Sequence, residues 1–324
     1  MSKTSSFSAW APSATLDTLK ARALLMRELR GFFFDRDVLE VDVPLLSRAT
    51  VTDPNIESIQ AICNQEPVFL QTSPEFFLKR LLSAGVGSLY YLGKAFRDGE
   101  AGRRHNPEFT MLEWYRVGWT AEELMNEVAA LLRVVLGAMP VTTKRYGQVF
   151  LEALGVNPHE QDSIRLLASL KAVAKEKLSV SFDDNDPNVW MELLFSHCIE
   201  PNLKGITLIY DFPASQAALA KIDRNDHGEP VACRFEAYVD GIELANGYWE
   251  LTDSQEQARR FEKDLHRRQS TGAYLPPVDK HLLHALQAGM PECAGVALGV
   301  DRLLMLKRGV KNIADVVAFD FSRC

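Results

Sequence analysis

The stretch FRDGEAGRRHNPEF, Phe96 to Phe109, sets Arg97 directly after an apolar run. It then passes through Gly99 and Gly102 to Arg103, Arg104 and His105, and ends on Asn-Pro-Glu-Phe. The residues that follow, Phe109-Thr-Met-Leu-Glu-Trp-Tyr, alternate in the manner of a strand, so the unit reads as strand, basic loop, strand. Such a loop can aim guanidinium groups and an imidazole at a polyphosphate, while Phe109 offers a flat face to a base. Its two glycines let the backbone approach a ligand closely. Taken alone, the loop also reads as a solvated charged hairpin with a buried phenylalanine.

The chain around it has 324 residues, 47% of them hydrophobic, enough for a large core. No apolar run approaches the roughly 20 residues of a membrane span, and the start, MSKTSSFSAWAPSATL, has no signal-peptide centre, so a cytoplasmic location is expected. The cysteines at 63, 198, 233, 293 and 324 form no CxxC pair and are expected to be reduced and mostly buried. A net charge of −7 argues against broad neutralisation of a long nucleic acid, so any phosphate ligand is expected to be small.

Outward from the loop there is no repeat and no linker, which predicts one domain of catalytic size. Leu16, Leu19, Ala23, Met26, Leu29 and Phe33 follow helical spacing and predict a helix from about Leu16 to Phe34. VLEVDVPLL reads as a strand ended by Pro44. Further strands are expected at 68–71, 88–92, 206–210, 234–239 and 295–298, and helices at 120–136 and 253–270, with a mostly helical stretch at 162–195. Clustered strands separated by long helical segments predict an α+β fold on an antiparallel sheet flanked by helices. The basic run RRFEKDLHRR, 259 to 268, reads as a solvated helix face or as a dock for an acceptor.

Two more clusters bear on chemistry. RFEAYVDGIELANGYWELTD spaces Glu236, Glu243 and Glu250 seven residues apart in a largely apolar setting, interrupted by Asn246-Gly247. Buried carboxylates are costly unless they meet a cation, either a metal ion or an ammonium group. Ordinary solvated glutamates on a surface strand are the alternative. In GVALGVDRLLML, Gly295 and Gly299 bracket a small-residue strand, and Asp301-Arg302 opens an apolar helix. An arginine at that junction can reach a phosphate, although packing of sheet against helix explains the pattern equally well.

With VLEVDVP, the basic loop and GVALGVDR in this order, the chain resembles the catalytic domain of class II aminoacyl-tRNA synthetases from about Leu16 to its end. TSPEFFLKRLL, HNPEFTMLEWY and GIELANGYWEL resemble the lysyl type in particular. Lysyl-tRNA synthetases carry an N-terminal anticodon-binding barrel, whereas about 15 residues precede the first helix here. The chain is therefore expected among the paralogues that act on elongation factor P. The resemblance implies a flexible segment 1–15 and one class II domain over 16–324, with a helical insertion at about 160–198. It implies ATP and Mg2+ as cofactors, (R)-β-lysine as substrate, elongation factor P as protein acceptor, a homodimer, and no stable binding of tRNA or membrane. A minimal tRNA-charging enzyme and a non-catalytic regulator on the same fold remain alternatives.

Carried over by position, Arg97 and Arg302 are the implied catalytic residues. Arg97 would hold the α-phosphate, and Asp98, Gly99, Glu100 and Asn106 would line the nucleotide. His105 would approach the outer phosphates and Phe109 would stack on adenine. Leu244 and Gly299 also fall in the implied ATP site, and Glu236 and Glu243 are the implied magnesium ligands, Glu243 touching ATP as well. Ser73, Pro74, Glu75, Glu113, Tyr115, Asn246 and Glu250 would form the amino-acid pocket. Ala297 stands where the synthetase pattern has glycine. Gly99 stands where the pattern has glutamate, with Glu100 one residue later.

Overall fold

The computed structural model describes residues 10–324. From the N-terminus, α1 (Leu16–Phe34) leads to β1 (Leu39–Glu40), β2 (Leu46–Ser47), β3 (Gln60–Cys63) and β4 (Glu66–Leu70). Next come α2 (Glu75–Ser83), the long strands β5 (Leu89–Phe96) and β6 (Glu108–Val117), and α3 (Ala121–Leu136). Strand β7 (Val141–Arg145) precedes α4 (Tyr146–Leu154), α5 (Ser163–Lys177) and α6 (Pro187–Leu194). Four strands follow: β8 (Ile206–Pro213), β9 (Ile222–Arg224), β10 (Pro230–Val239) and β11 (Ile242–Trp249). The last elements are α7 (Ser254–Thr271), α8 (Lys280–Gly289), β12 (Cys293–Gly299) and α9 (Val300–Arg308). The expected α+β class is borne out: antiparallel pairings dominate, and helices flank the strands.

The chain divides into two compact units. The first contains residues up to Trp114 together with Ala258–Ala288 and Leu298–Cys324, and the second Tyr115–Gln257 with Gly289–Ala297. In the first, α1 begins where the Thr15 hydroxyl accepts the Thr18 amide and buries Leu25, Leu29, Phe32 and Phe33. Phe33 stacks on Tyr90 with ring centroids 4.5 Å apart, locking the helix to β5. Asp301, 2% exposed, accepts Arg22 Nη1 at 2.6 Å and the Thr110 amide at 2.7 Å. One buried carboxylate thereby ties α1, β6 and α9 together, and its partners satisfy the cost of burying it. Of the expected flexible stretch 1–15, residues 1–9 lie outside the described residues. Ser13 donates its amide to Ala318 O and its hydroxyl to Asp320.

The strand expected over VLEVDVPLL is corrected to two residues, Leu39 and Glu40, paired parallel with Leu89 and Tyr90. Val41 adds one more bond to Tyr90 O, and the ladder then stops before Pro44, which has no amide hydrogen. The five cysteines are free, as expected, but their expected burial fails: Cys63 and Cys324 are exposed, Cys198 and Cys233 are half-buried, and only Cys293 is buried.

In the second unit the strand order is β12-β11-β10-β8-β7, with β9 on β10. β7 runs parallel to β8, whereas β10 is antiparallel to both β8 and β11. Helices α4 to α6 pack on β8 and β10 around Tyr146, Phe150, Phe195, Phe212 and Tyr238. The expected helical content of 162–195 is met by α5 and α6. Helix α3 starts in a capping box between Thr120 and Glu123, one residue inside its expected start.

The β10–β11 hairpin turns at Asp240-Gly241, both at positive φ (49° and 78°). Asn246-Gly247 therefore does not interrupt a strand but lies inside β11, opposite Glu236 and Phe235. Gly247 is there for space: a Cβ would overlap the Phe235 ring and come within 2.9 Å of Val296 Cβ. Gly247→Ala is expected to destabilise by about 1 to 3 kcal/mol, read as a lower urea midpoint at unchanged m-value. An unchanged midpoint would contradict the packing.

Candidate functional site

In the first unit, β5 and β6 carry the basic loop at their ends, and backbone bonds shape it. Arg97 donates its amide to Pro107 O at 2.9 Å, Asp98 donates to Glu57 O at 2.9 Å, and Gly102 pairs with His105. Gly99 takes a left-handed conformation at φ 74°. Arg97 lies with its guanidinium carbon 5.3 Å from the Phe109 ring centroid and one nitrogen 3.5 Å from Glu100 Oε1. Its Nε is buried with no hydrogen-bond partner among the described residues. A buried donor left open beside an aromatic face is costly unless an acceptor completes it.

Arg302 on α9 reaches the same loop, with Nη2 2.5 Å from His105 Nε2. Partial burial of the ring and the Arg302 charge lower the His105 pKa, so near neutral pH the imidazole is uncharged and accepts from the arginine. Gly299 is the N-cap of α9, where a Cβ would meet only the Arg302 stem at 3.9 Å. Asn106 braces the loop: its amide nitrogen donates to Glu108 O at 2.7 Å, and its oxygen accepts the Phe321 amide at 3.0 Å. Asp98 is exposed and accepts the Gly99 amide.

Also in this unit, Ser73 donates its hydroxyl to Glu113 Oε2 at 2.6 Å and accepts the Glu75 amide at 3.0 Å. Pro74 is the N-cap residue of α2. Glu75 forms an ion pair with Lys79 at 2.6 Å, one turn along, and Lys79 is 1% exposed. Sequence reasoning missed Lys79. The signal was the i, i+4 spacing of Glu75 and Lys79 on a helix whose neighbouring positions are apolar.

The second unit gathers the remaining candidates on its central hairpin. Arg234, Glu236 and Tyr238 share one face of β10, opposite Tyr248, Asn246 and Glu243 of β11. A bulge at buried Leu244 brings Glu243 and Asn246 to the same face despite their odd spacing. Asn246 accepts Arg234 Nε at 3.2 Å and donates to the Tyr248 hydroxyl at 3.0 Å. Tyr115 and Glu250 both border Gly295 of β12, where a Cβ would overlap the Tyr115 ring and the Glu250 carboxylate. Ala297, two residues further along β12, falls on the same face as Gly295. Glu250 is 1% exposed.

Glu236, one of the two implied magnesium ligands, carries a protein partner on each oxygen. One of its oxygens accepts from Arg234 Nη2 and the other from the Tyr238 hydroxyl. Burial opposes the charge on Arg234, but Glu236, helped by Tyr248 and Glu243, outweighs it and keeps the guanidinium protonated. Burial and the same carboxylate hold Tyr238 in its hydroxyl form. Each carboxylate oxygen keeps a second lone pair, so a dication could join these partners without displacing them. Arg234 was the missed residue, and its Arg-x-Glu alternation on a strand was the available signal. Among the described residues, no group of three or more His, Cys, Asp or Glu side chains is arranged to hold a metal ion.

Comparison with known proteins adds the family. The profile of the class II tRNA synthetases (D, K and N) matches residues 5–323. An elongation factor P–(R)-β-lysine ligase of Vibrio atlanticus (strain LGP32) is 48% identical over 98% of this chain and 99% of its own length. Ligases of the same name from Vibrio cholerae and Salmonella typhi are 48% and 47% identical, each over 97% of this chain and 98% of their own. The order of the motifs, the α+β fold and this match over nearly the whole chain place the protein among the class II tRNA synthetases of the D, K and N type.

Proposed function

We propose that this chain uses ATP to activate (R)-β-lysine as an aminoacyl-adenylate and transfers it to a lysine side chain of elongation factor P. The observation that carries the proposal is the unsatisfied, buried Arg97 Nε beside Phe109, within a loop that Arg302 also reaches. The relatives' names support the choice of amino acid and acceptor.

In this reading a carboxylate oxygen of β-lysine attacks the α-phosphorus of ATP and displaces pyrophosphate. Arg97 and Arg302 stabilise the charge that develops on the phosphoryl oxygens, Phe109 stacks on adenine, and neutral His105 orients Arg302. Asp98, Gly99, Glu100, Asn106, Leu244 and Gly299 line the nucleotide or brace what does. Ser73, Pro74, Glu75, Glu113, Tyr115, Asn246 and Glu250 hold the amino acid, the carboxylates matching its ammonium groups. The neutral ε-amine of the acceptor lysine then attacks the adenylate carbonyl. An amide forms, AMP leaves, and the amine gives up its proton. Mg2+ would supply charge neutralisation on the triphosphate. Glu236 and Glu243 are the residues that would hold it, and no step depends on it.

We place the reaction in one catalytic domain over residues 16–324 of a cytoplasmic protein; no helix among the described residues is long and apolar enough to cross a membrane. A homodimer through α1 fits the exposure of Leu16, Leu24 and Phe34 on that helix. When the protein is incubated with ATP and labelled β-lysine, label is expected on elongation factor P and not on total tRNA. The acidic balance of −7 disfavours phosphate-dominated binding of tRNA. Label on tRNA alone would instead establish the tRNA-charging alternative.

A further inference from the structure

Arg268 ends the basic run on α7, and its neighbours Lys263, His266 and Arg267 are exposed. Arg268 is 2% exposed. Three of its nitrogens are directed into the irregular segment between β2 and β3. Nε donates to Thr52 O at 2.9 Å, and Nη2 donates to Asp53 O at 2.6 Å and Ile56 O at 2.7 Å. Nη1 meets Glu57 Oε1 at 2.8 Å and Tyr274 O at 3.2 Å. One turn earlier on the same helix, Asp264 accepts the Thr52 hydroxyl at 2.9 Å.

Residues 49–59 belong to no helix or strand; inside the segment the Ile56 amide reaches Asp53 O at 3.2 Å, and Arg268 supplies donors to the Thr52, Asp53 and Ile56 carbonyls. A guanidinium presents several donors in a rigid planar fork, which an ammonium cannot reproduce. Arg268 thus determines the shape of a segment that has no ladder of its own. The far end of that segment matters for the site, because Glu57 O accepts the Asp98 amide at 2.9 Å, next to Arg97. On its other side Arg97 is held by Pro107 O. The base of the ATP loop therefore rests on two backbone bonds, one of which depends on the segment that Arg268 organises.

We propose that Arg268 is a positioning residue for ATP: it fixes residues 52–57, and through the Glu57 carbonyl it sets the placement of Arg97. The proposal rests on the ATP reading above. It predicts an effect on the nucleotide and not on the amino acid, because Ser73, Glu75 and Glu113 are braced by hydrogen bonds of their own.

The test uses the full chain carrying Arg268→Lys and Arg268→Gln. In lysine-dependent ATP–pyrophosphate exchange, Arg268→Lys should raise KM for ATP about 10-fold while KM for β-lysine stays within about twofold. Arg268→Gln should do more. Without any ligand, hydrogen exchange should be faster in the peptide containing Asp98. If Arg268→Gln does not fold, Arg268→Lys, which keeps the charge and part of the donor set, decides alone. A folded Arg268→Lys with unchanged KM for ATP, or with both KM values raised equally and Asp98 exchange unaltered, overturns the proposal. Wild-type protein without exchange activity would overturn the ATP reading, and the hydrogen-exchange arm would then show separately whether Arg268 holds the loop.

Discussion

Arg97→Ala is expected to lower lysine-dependent ATP–pyrophosphate exchange by about 10²- to 10³-fold while the protein still melts cooperatively near the wild-type temperature. The two effects separate because of what Arg97 does in the absence of substrate. Its ion pair with Glu100 is long at 3.5 Å and its side chain is 27% exposed. Pairs of that kind contribute at most about 1 kcal/mol to stability. Removing the side chain also removes a buried Nε that has no partner, which offsets part of the lost contact with Phe109. Transition-state charge on the α-phosphate is another matter, since it develops only during the reaction and needs a preorganised donor. Arg97→Lys keeps the charge but loses the fork, and should recover only part of the activity. An alanine variant that melts normally and retains a tenth or more of wild-type exchange would remove Arg97 from the phosphate.

Periodicity revealed the parts of this fold that bury one face over many residues. Helix α1 has the expected bounds, Leu16 to Phe34, although it buries Leu25, Leu29, Phe32 and Phe33 while Leu16 and Ala23 of the expected stripe are exposed. The alternation after Phe109 became β6. Where a conformation depends on partners distant in the chain, local pattern was silent or misleading. VLEVDVP alternates but pairs with β5 over only two residues, and the chain leaves the ladder before Pro44. Asn246-Gly247 has the composition of a turn but sits in a strand, since Gly247 makes room for Phe235 while Asp240-Gly241 takes the bend. The candidate site divides in the same way. Residues offered by a loop, such as Arg97 and His105, could be found from charge and glycine spacing alone. Glu236 could not be judged without seeing that Arg234 and Tyr238 occupy its oxygens. Arg268 looked like one more surface cation, because nothing local to a helix shows which of its arginines points inward to loop carbonyls.

Ala297→Gly is expected to raise the activation of α-lysine relative to β-lysine by about 10- to 200-fold, the range in which an apolar contact the size of one methylene discriminates between substrates. Side chains at 295 and 297 lie on the same face of β12. At 295 that face is closed so tightly by the Tyr115 ring and the Glu250 carboxylate that only glycine fits. Ala297 adds a methyl group beside this boundary. If Tyr115 and Glu250 hold the amino acid, the methyl competes for volume with whatever substituent lies nearest the carboxylate carbon. In α-lysine that carbon's neighbour carries an ammonium group, whereas in β-lysine it carries only hydrogens and the amino group sits one carbon further away. A methyl at 297 therefore excludes the first isomer by contact and leaves the second unhindered. The glycine variant should gain α-lysine activity with little loss of β-lysine activity, measured as kcat/KM for each isomer in pyrophosphate exchange. An unchanged ratio in a variant that binds ATP normally would mean that the isomers are not distinguished by the space at Ala297.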